Sequence, residues 1–266
     1  MNELVLRPSY WANVSGGKDS LYMLKLILSN QDHFPLDGVV HFELEIDFPF
    51  IHDVIDYMES ECKKYKIPFV RIRPRHTWEE LYYKKTKSGT IRGFPTRVVR
   101  WCNNEYKLDA LRQLEAFVKS QGKYAVNYIG YCADEEKRFI KRKKREIYPL
   151  VQYGIEESQI LEWAKTVNVF NKYYITNRRC GCMYCPLADR MQMAYLLKYY
   201  PKKFTYMIEK MKETEIVMEQ KTGEPFSVID KNPRYNADYL EDVIKRKWIP
   251  RLEEKERLYF GGDHND

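Results

Sequence analysis

Apolar side chains recur along this chain with two spacings. From Asp19 to about Asn30, Leu21, Leu24 and Leu28 fall on one helical face, and Ile51, Ile55 and Met58 do the same between Ile51 and Tyr65. Short runs at Tyr10–Val14, Val39–Phe42, Phe69–Ile72 and Ala125–Gly130 predict strands. Thr77, with Glu80 three residues on, predicts a capped helix to Tyr83. Asn103 or Asn104 is placed to cap a helix reaching about Ser120, and Asp134 to about Arg145 also reads as helical. Strands separated by helices predict an α/β fold, a doubly wound parallel sheet with right-handed crossovers. Such sheets bind ligands at the carboxyl ends of their strands. From about Thr176 the pattern changes to a cysteine cluster followed by charged, mostly helical sequence without clear strands. The expected division is therefore 1–175 and 176–266.

Composition alters this picture little. The 266 residues are 44% apolar, enough for a full core, and the net charge of +7 suits either an anionic ligand or simple solubility. The N-terminal residues lack a signal peptide's basic lead and long apolar run, and Leu21–Leu28 is short and interrupted by Lys25. The expectation is a cytoplasmic protein with no membrane segment. Of the cysteines at 62, 102, 132, 180, 182 and 185, Cys62 lies alone on a predicted helix and reads as a small core or surface residue.

The sharpest motif is Ser15-Gly16-Gly17-Lys18-Asp19-Ser20, between a predicted strand and a predicted helix. Two glycines let the backbone approach a ligand closely. The amides of the loop and helix start attract phosphate. Ser15 and Ser20 add hydroxyls and Lys18 a cation, while Asp19 suits Mg²⁺ or a helix start. The spelling differs from Gly-x-x-x-x-Gly-Lys-[Ser/Thr]. It resembles the Ser-Gly-Gly-x-Asp-Ser PP-loop of the ATP pyrophosphatase superfamily, whose members cleave ATP between the α and β phosphates or bind adenine nucleotides in that manner.

Four more segments, in matching order, resemble the phosphoadenosine phosphosulfate (PAPS) reductase family of that superfamily. Arg100-Trp101-Cys102-Asn103-Asn104-Glu105-Tyr106-Lys107 is similar to its Arg-Trp-Cys-x-x-x-x-Lys segment. Gly130-Tyr131-Cys132-Ala133-Asp134-Glu135-Glu136-Lys137-Arg138 is similar to Gly-x-Arg-Ala-Asp-Glu-Ser-x-Arg, with Tyr131-Cys132 and Glu136 as departures. Tyr148-Pro149-Leu150 and Cys180-Gly181-Cys182-Met183-Tyr184-Cys185-Pro186 complete the set. The resemblance implies a nucleotide site built from Ser15 to Ser20, Lys107, Gly130 and Asp134, and catalytic roles for Lys18, Asp19, Arg100 and Arg138. Arginine meets phosphate or sulfate with paired hydrogen bonds. The family's sulfate-assimilating reductases end in Glu-Cys-Gly-[Ile/Leu]-His. No cysteine follows Cys185 here, so the resemblance implies sulfur transfer to another acceptor rather than standard PAPS reduction.

Cys180, Cys182 and Cys185 suit Zn²⁺ or a 4Fe-4S cluster, with Cys102 as the best fourth ligand and Cys132 the next. A sulfur-carrying pair and an inert turn stay open beside that reading. Residues 137–145 hold seven Lys or Arg, and 84–100 interleave six with Phe94, flanked by Tyr83 and Trp101. These stretches read as solvated faces, as nucleic-acid contacts or, for the second, as a lid over the nucleotide. The implied ligands are ATP or a PAPS-like adenine nucleotide with Mg²⁺. The implied partners are a DNA or RNA acceptor or a sulfur-donor protein. A nucleotide-holding subunit without turnover and a Zn-stabilised structural protein are the alternatives.

Overall fold

The computed structural model describes residues 6–140, 144–170 and 172–260. The chain forms two compact units, Met1–Arg75 with Lys107–Tyr174, and His76–Tyr106 with Ile175–Asp266.

The first unit contains a five-stranded sheet of order β3-β2-β1-β4-β5, from β1 (Arg7–Val14), β2 (Gly38–Phe42), β3 (Phe69–Ile72), β4 (Lys123–Tyr128) and β5 (Glu146–Ile147). Every pairing is parallel, with Val14 beside His41 and Trp11 beside Asn127. This is the α/β doubly wound arrangement the sequence predicts. Helix α1 (Lys18–Leu28) follows β1, and α2 (Phe50–Lys64) follows β2. The sheet grows from β1 through β2 to β3, then restarts on the other side of β1 with β4. Right-handed crossovers put the helices of the two directions on opposite faces. Accordingly Trp11, Val40 and Ala125 pack with Leu114 and Val118 of α4 (Leu108–Ser120). Their strand neighbours Ala12 and Val39, also buried, project to the other face.

The reversal creates a switch point between β1 and β4. There the strand-end connections diverge and leave a crevice, where ligands of such sheets bind. The loop Ser15–Gly17 leaves β1 on this edge, and the Ile129–Glu135 loop leaves β4 beside it.

Two helix predictions are corrected. Among its described residues Asp134–Arg145 contains only the short α5 (Glu136–Phe139), because the Arg145 carbonyl is already drawn to the sheet edge, accepting the Asn127 amide at 2.8 Å. Residues 141–143 of the basic run lie outside the described residues. Asn103 and Asn104 sit inside a π-helical turn, Cys102–Lys107, that precedes α4, whose N-cap is Lys107, and their backbone amides donate back to the Arg100 carbonyl at 3.0 and 3.2 Å. After β5 come α6 (Pro149–Gln152), begun by Pro149, α7 (Glu157–Lys165), and α8 (Tyr173–Thr176), which runs into the second unit.

In the second unit, α3 (Trp78–Tyr83) carries the expected capping box, with the Glu80 amide on Thr77 Oγ1 at 3.0 Å and the Thr77 amide on Glu80 Oε2 at 2.8 Å. Trp78 centres an aromatic core with Tyr82, Phe94, Trp101, Tyr184 and Tyr206. Helices α9 (Arg190–Tyr199), α10 (Pro201–Thr222), α11 (Ala237–Val243) and α12 (Ile249–Phe260) complete it. Glu215, on α10, accepts the Val228 and Ala237 amides at 3.0 and 3.1 Å. Among the described residues no helix is long and apolar enough to cross a membrane.

Candidate nucleotide site and cysteine turn

The loop after β1 takes its form from two glycines and one serine. Gly16 has φ +75°, in the left-handed region that L side chains avoid, and a Cβ there would lie 2.6 Å from Ile51 Cγ2. Gly17 is the N-cap of α1 and supplies no side-chain acceptor to the helix's first amides. Ser20 knits the loop: its hydroxyl donates to the Gly17 carbonyl at 2.9 Å and accepts the Ser15 amide at 3.2 Å. Ser15 itself is exposed. The result is an exposed serine beside a helix N-terminus to which the N-cap residue adds no side-chain acceptor, with the Lys18 amide alone shown donating to a side chain, the Tyr174 hydroxyl at 2.9 Å, an arrangement suited to an anion.

The β4 loop closes onto this turn. A Cβ on Gly130 would come within 3.1 Å of the Asp19 carbonyl oxygen, so a larger residue there requires the facing backbone to give by a few tenths of an ångström. Cys132, fully buried, points its thiol at Asp19 Oδ1 at 3.6 Å, and burial raises its pKa so that it stays protonated. Asp134 accepts the Glu157 amide at 3.0 Å and so serves the start of α7. Arg138 pairs with Glu135 at 2.7 Å and lies over the Tyr131 ring, 4.3 Å from its centroid.

Lys18 is almost wholly buried, with its ammonium 2.6 Å from Asp19 and 3.4 Å from Glu157. Burial lifts the Asp19 carboxyl above the usual carboxylate range; Lys18 opposes the rise, and Glu135 and Glu157 add to it. Three carboxylates therefore gather around two cations, Lys18 and Arg138, leaving this edge short of positive charge for a polyphosphate. Carboxylate oxygens beside a phosphate cradle are the donor chemistry Mg²⁺ uses, one or two of them with substrate oxygens completing the shell. The fit rests on Asp19.

Three contributors escaped sequence reading. Tyr174 offers its hydroxyl to the Lys18 amide at 2.9 Å, at the first turn of α1. Glu157 shares Lys18. His41, held at a pKa of about 4 by burial and hence neutral, bonds through Nδ1 to the Val14 carbonyl, the last of β1, at 3.0 Å. None sits in a recognisable motif, since each reaches the loop from a different element. Lys107 is exposed, and its charge acts on Asp47, whose carboxyl is pushed up to about 7 by burial.

The remaining sequence candidates lie in the second unit. Arg100 is exposed. Cys102, Cys180, Cys182 and Cys185 are half-buried. Cys182 and Cys185 form a turn, with the Cys185 amide on the Cys182 carbonyl at 3.2 Å, and Gln192 Nε2 donates to that carbonyl at 3.3 Å. The Cys102 thiol is pushed up to about 11 by burial, with Cys185 as the next cause. Among the described residues no group of three or more His, Cys, Asp and Glu side chains is placed to hold a metal ion. The thiols supply donors for a thiophilic metal without forming its shell. Cys132 lies instead beside Asp19 in the first unit.

No protein-family model matches the chain. Two uncharacterized proteins of Methanocaldococcus jannaschii are similar. MJ0973 is 26% identical over 227 residues, 79% of this chain and 50% of its own. MJ0066 is 26% identical over 199 residues, 71% of this chain and 38% of its own. The chain thus spans half or less of the length of these relatives. Among solved structures, the U34-tRNA thiolase NcsA from Methanococcus maripaludis with its [4Fe-4S] cluster is similar at a TM-score of 0.38 and 16% identity, covering 91% of this chain and 74% of that one.

Proposed function

We propose that the chain is a PP-loop enzyme of the ATP pyrophosphatase superfamily that binds ATP or a sulfated adenine nucleotide and activates an acceptor for sulfur transfer. The observation that carries this reading is the position of Ser15–Ser20. The motif occupies the carboxyl end of β1 at the switch point of a parallel sheet, with a left-handed Gly16 and a helix N-terminus whose N-cap residue, Gly17, offers no side-chain acceptor. In this reading the α1 N-terminal amides beyond that of Lys18, which Tyr174 accepts, and the Ser15 hydroxyl receive phosphate oxygens, and Asp19 would hold Mg²⁺. When bound, Mg²⁺ would supply the positive charge that the three local carboxylates subtract. An acceptor oxygen attacks the α-phosphate and pyrophosphate leaves, with Lys18 and Arg138 as the nearby cations. Reduction of PAPS itself is the narrower reading within the same family resemblance.

The cysteines Cys180, Cys182, Cys185 and Cys102 are the residues that would hold Zn²⁺ or a 4Fe-4S cluster. Iron and zinc analysis of anaerobically purified protein tests this part, and a folded chain free of both metals overturns it.

A second reading, a nucleotide-holding subunit without turnover, is favoured by one feature. The Lys18 ammonium is buried between two carboxylates rather than offered to a ligand. Pyrophosphate release from Mg-ATP, with Asp19→Ala as control, separates the two. Release by the parent and not by the variant supports the enzyme. Nucleotide binding without release supports the subunit, and absence of any nucleotide affinity refutes both.

A further inference from the structure

The phosphate motif puts a lysine at the first residue of α1, yet the fold turns its side chain inward. Lys18 is 1% exposed, and its ammonium lies 2.6 Å from Asp19 Oδ1 and 3.4 Å from Glu157 Oε1. Glu157 opens α7, and its position is set independently of Lys18. Its amide donates to Asp134 Oδ1 at 3.0 Å, and the Glu156 amide donates to Gln159 Oε1 at 2.9 Å in the capping box of that helix. Further along the two helices, the Tyr22 and Trp163 rings meet edge-on at 5.0 Å, which holds α1 against α7. The Lys18 backbone is held as well, through its amide on the Tyr174 hydroxyl. The part that can move is the flexible four-carbon stem of Lys18.

A buried ammonium is tolerated because carboxylates compensate it, and removing a partner leaves the charge exposed to its desolvation penalty. Asp19 is the partner that a ligand reaches more readily, with 32% of its side chain exposed against 16% for Glu157. A metal-free polyphosphate arriving here meets Asp19, Glu135 and Glu157. The local cations are already engaged, Lys18 by two carboxylates and Arg138 by Glu135 at 2.7 Å. A divalent cation on Asp19 reverses that balance. Of its two carboxylate contacts Lys18 then keeps only the longer, to Glu157, and its ammonium becomes available to phosphate oxygens. A nucleoside triphosphate carries Mg²⁺ as a chelate on its phosphate oxygens, whereas adenylyl sulfate has a single phosphate and forms no such chelate.

Taking Ser15–Ser20 as the nucleotide site, on which this inference rests, we propose that Glu157 is its specificity-determining residue. With Asp19 it holds Lys18 back from ligands until a divalent cation engages Asp19. The site therefore accepts the Mg²⁺ chelate of a nucleoside triphosphate and rejects metal-free nucleotides, sulfated ones among them. Metal and nucleotide each strengthen the binding of the other by the same factor.

The test is isothermal titration of the full chain with ATP and with adenylyl sulfate, each in Mg²⁺ and in EDTA. The parent is expected to bind ATP at least about tenfold more tightly in Mg²⁺ than in EDTA, and adenylyl sulfate equally weakly in both. Glu157→Gln keeps the side chain's size and removes its charge. It should tighten metal-free ATP about tenfold and leave Mg-ATP within about twofold of the parent, so the Mg²⁺ dependence shrinks; its binding of Mg-ATP also shows that it folds. In a Lys18→Gln background the same change should leave the Mg²⁺ dependence unaltered, because the lysine it restrains is gone. Glu162→Gln, at an exposed acid on α7, is the control and should match the parent. No binding of either nucleotide under any condition overturns the nucleotide reading itself. ATP binding indifferent to Mg²⁺, or parental metal-free affinity in Glu157→Gln, overturns the restraint on Lys18 and leaves that reading in place. Tightening of equal size in the Lys18→Gln background reduces Glu157 to simple repulsion of the anion and overturns it too. Adenylyl sulfate binding as tight as that of Mg-ATP overturns the choice of substrate.

Discussion

Gly16→Ala puts the loop geometry to a quantitative test. The new Cβ faces two separate costs. At φ +75° an L side chain crowds its own backbone, at about 1–2 kcal/mol. It would also stand 2.6 Å from Ile51 Cγ2 and 3.2 Å from Cδ1, on a buried, β-branched side chain at the start of α2. A methyl branch on a helix has one strongly preferred rotamer and little freedom to move aside, so overpacking adds about 1–3 kcal/mol. Together the two effects predict a loss of about 2–5 kcal/mol, read as a shift in urea midpoint at constant slope. Ile51→Ala separates them. Alone it costs about 2–5 kcal/mol through its cavity. Combined with Gly16→Ala it removes the collision, so the double variant should be more stable than the sum of the single losses by the overpacking share, about 1–3 kcal/mol. The backbone share persists in the pair. The single variant should also lose nucleotide affinity, because the amides of the loop turn away. A Gly16→Ala protein within about 0.5 kcal/mol of the parent, with unchanged nucleotide binding, would refute the left-handed loop and its contact with Ile51.

Two further outcomes follow from buried carboxyls. Asp47 is held near pKa 7 against an ordinary 3.8, so the folded state keeps its proton longer than the unfolded chain. Its contribution is fully present below the unfolded value and is lost as pH rises to about 7, by at most about 4 kcal/mol. Asp47→Asn should flatten the urea midpoint across that window, and an undiminished slope counts against the assignment. Glu215→Ala strips the acceptor from two buried amides and should cost roughly 2–5 kcal/mol of stability, since each orphaned donor keeps its desolvation penalty; a midpoint equal to the parent's would show that water replaces the carboxylate.

Local sequence determined the elements whose causes are local. The three-to-four spacing of Leu21, Leu24 and Leu28 set α1. The capping residues Thr77 and Glu80 set α3, and Ser-Gly-Gly marked the turn between β1 and α1, because a helix face, a cap and a glycine turn each depend on neighbours a few residues away. The doubly wound class followed from the alternation of strands and helices. Strand order did not, because pairing joins residues far apart: only the fold puts β4 beside β1 and so makes a switch point from the Ser15–Ser20 and Gly130–Glu135 segments. Tertiary packing also brought Tyr174 to the Lys18 amide and Glu157 to the Lys18 ammonium, from more than a hundred residues away in sequence. The same packing separated two cysteines that the sequence treats alike. Cys132 meets Asp19, while Cys102 lies in the second unit, which His76–Tyr106 joins across a long gap in the chain, with Cys185 among the groups that raise its pKa. Spacing along the chain records the chemistry available at each position; burial and long-range pairing decide which of those groups meet.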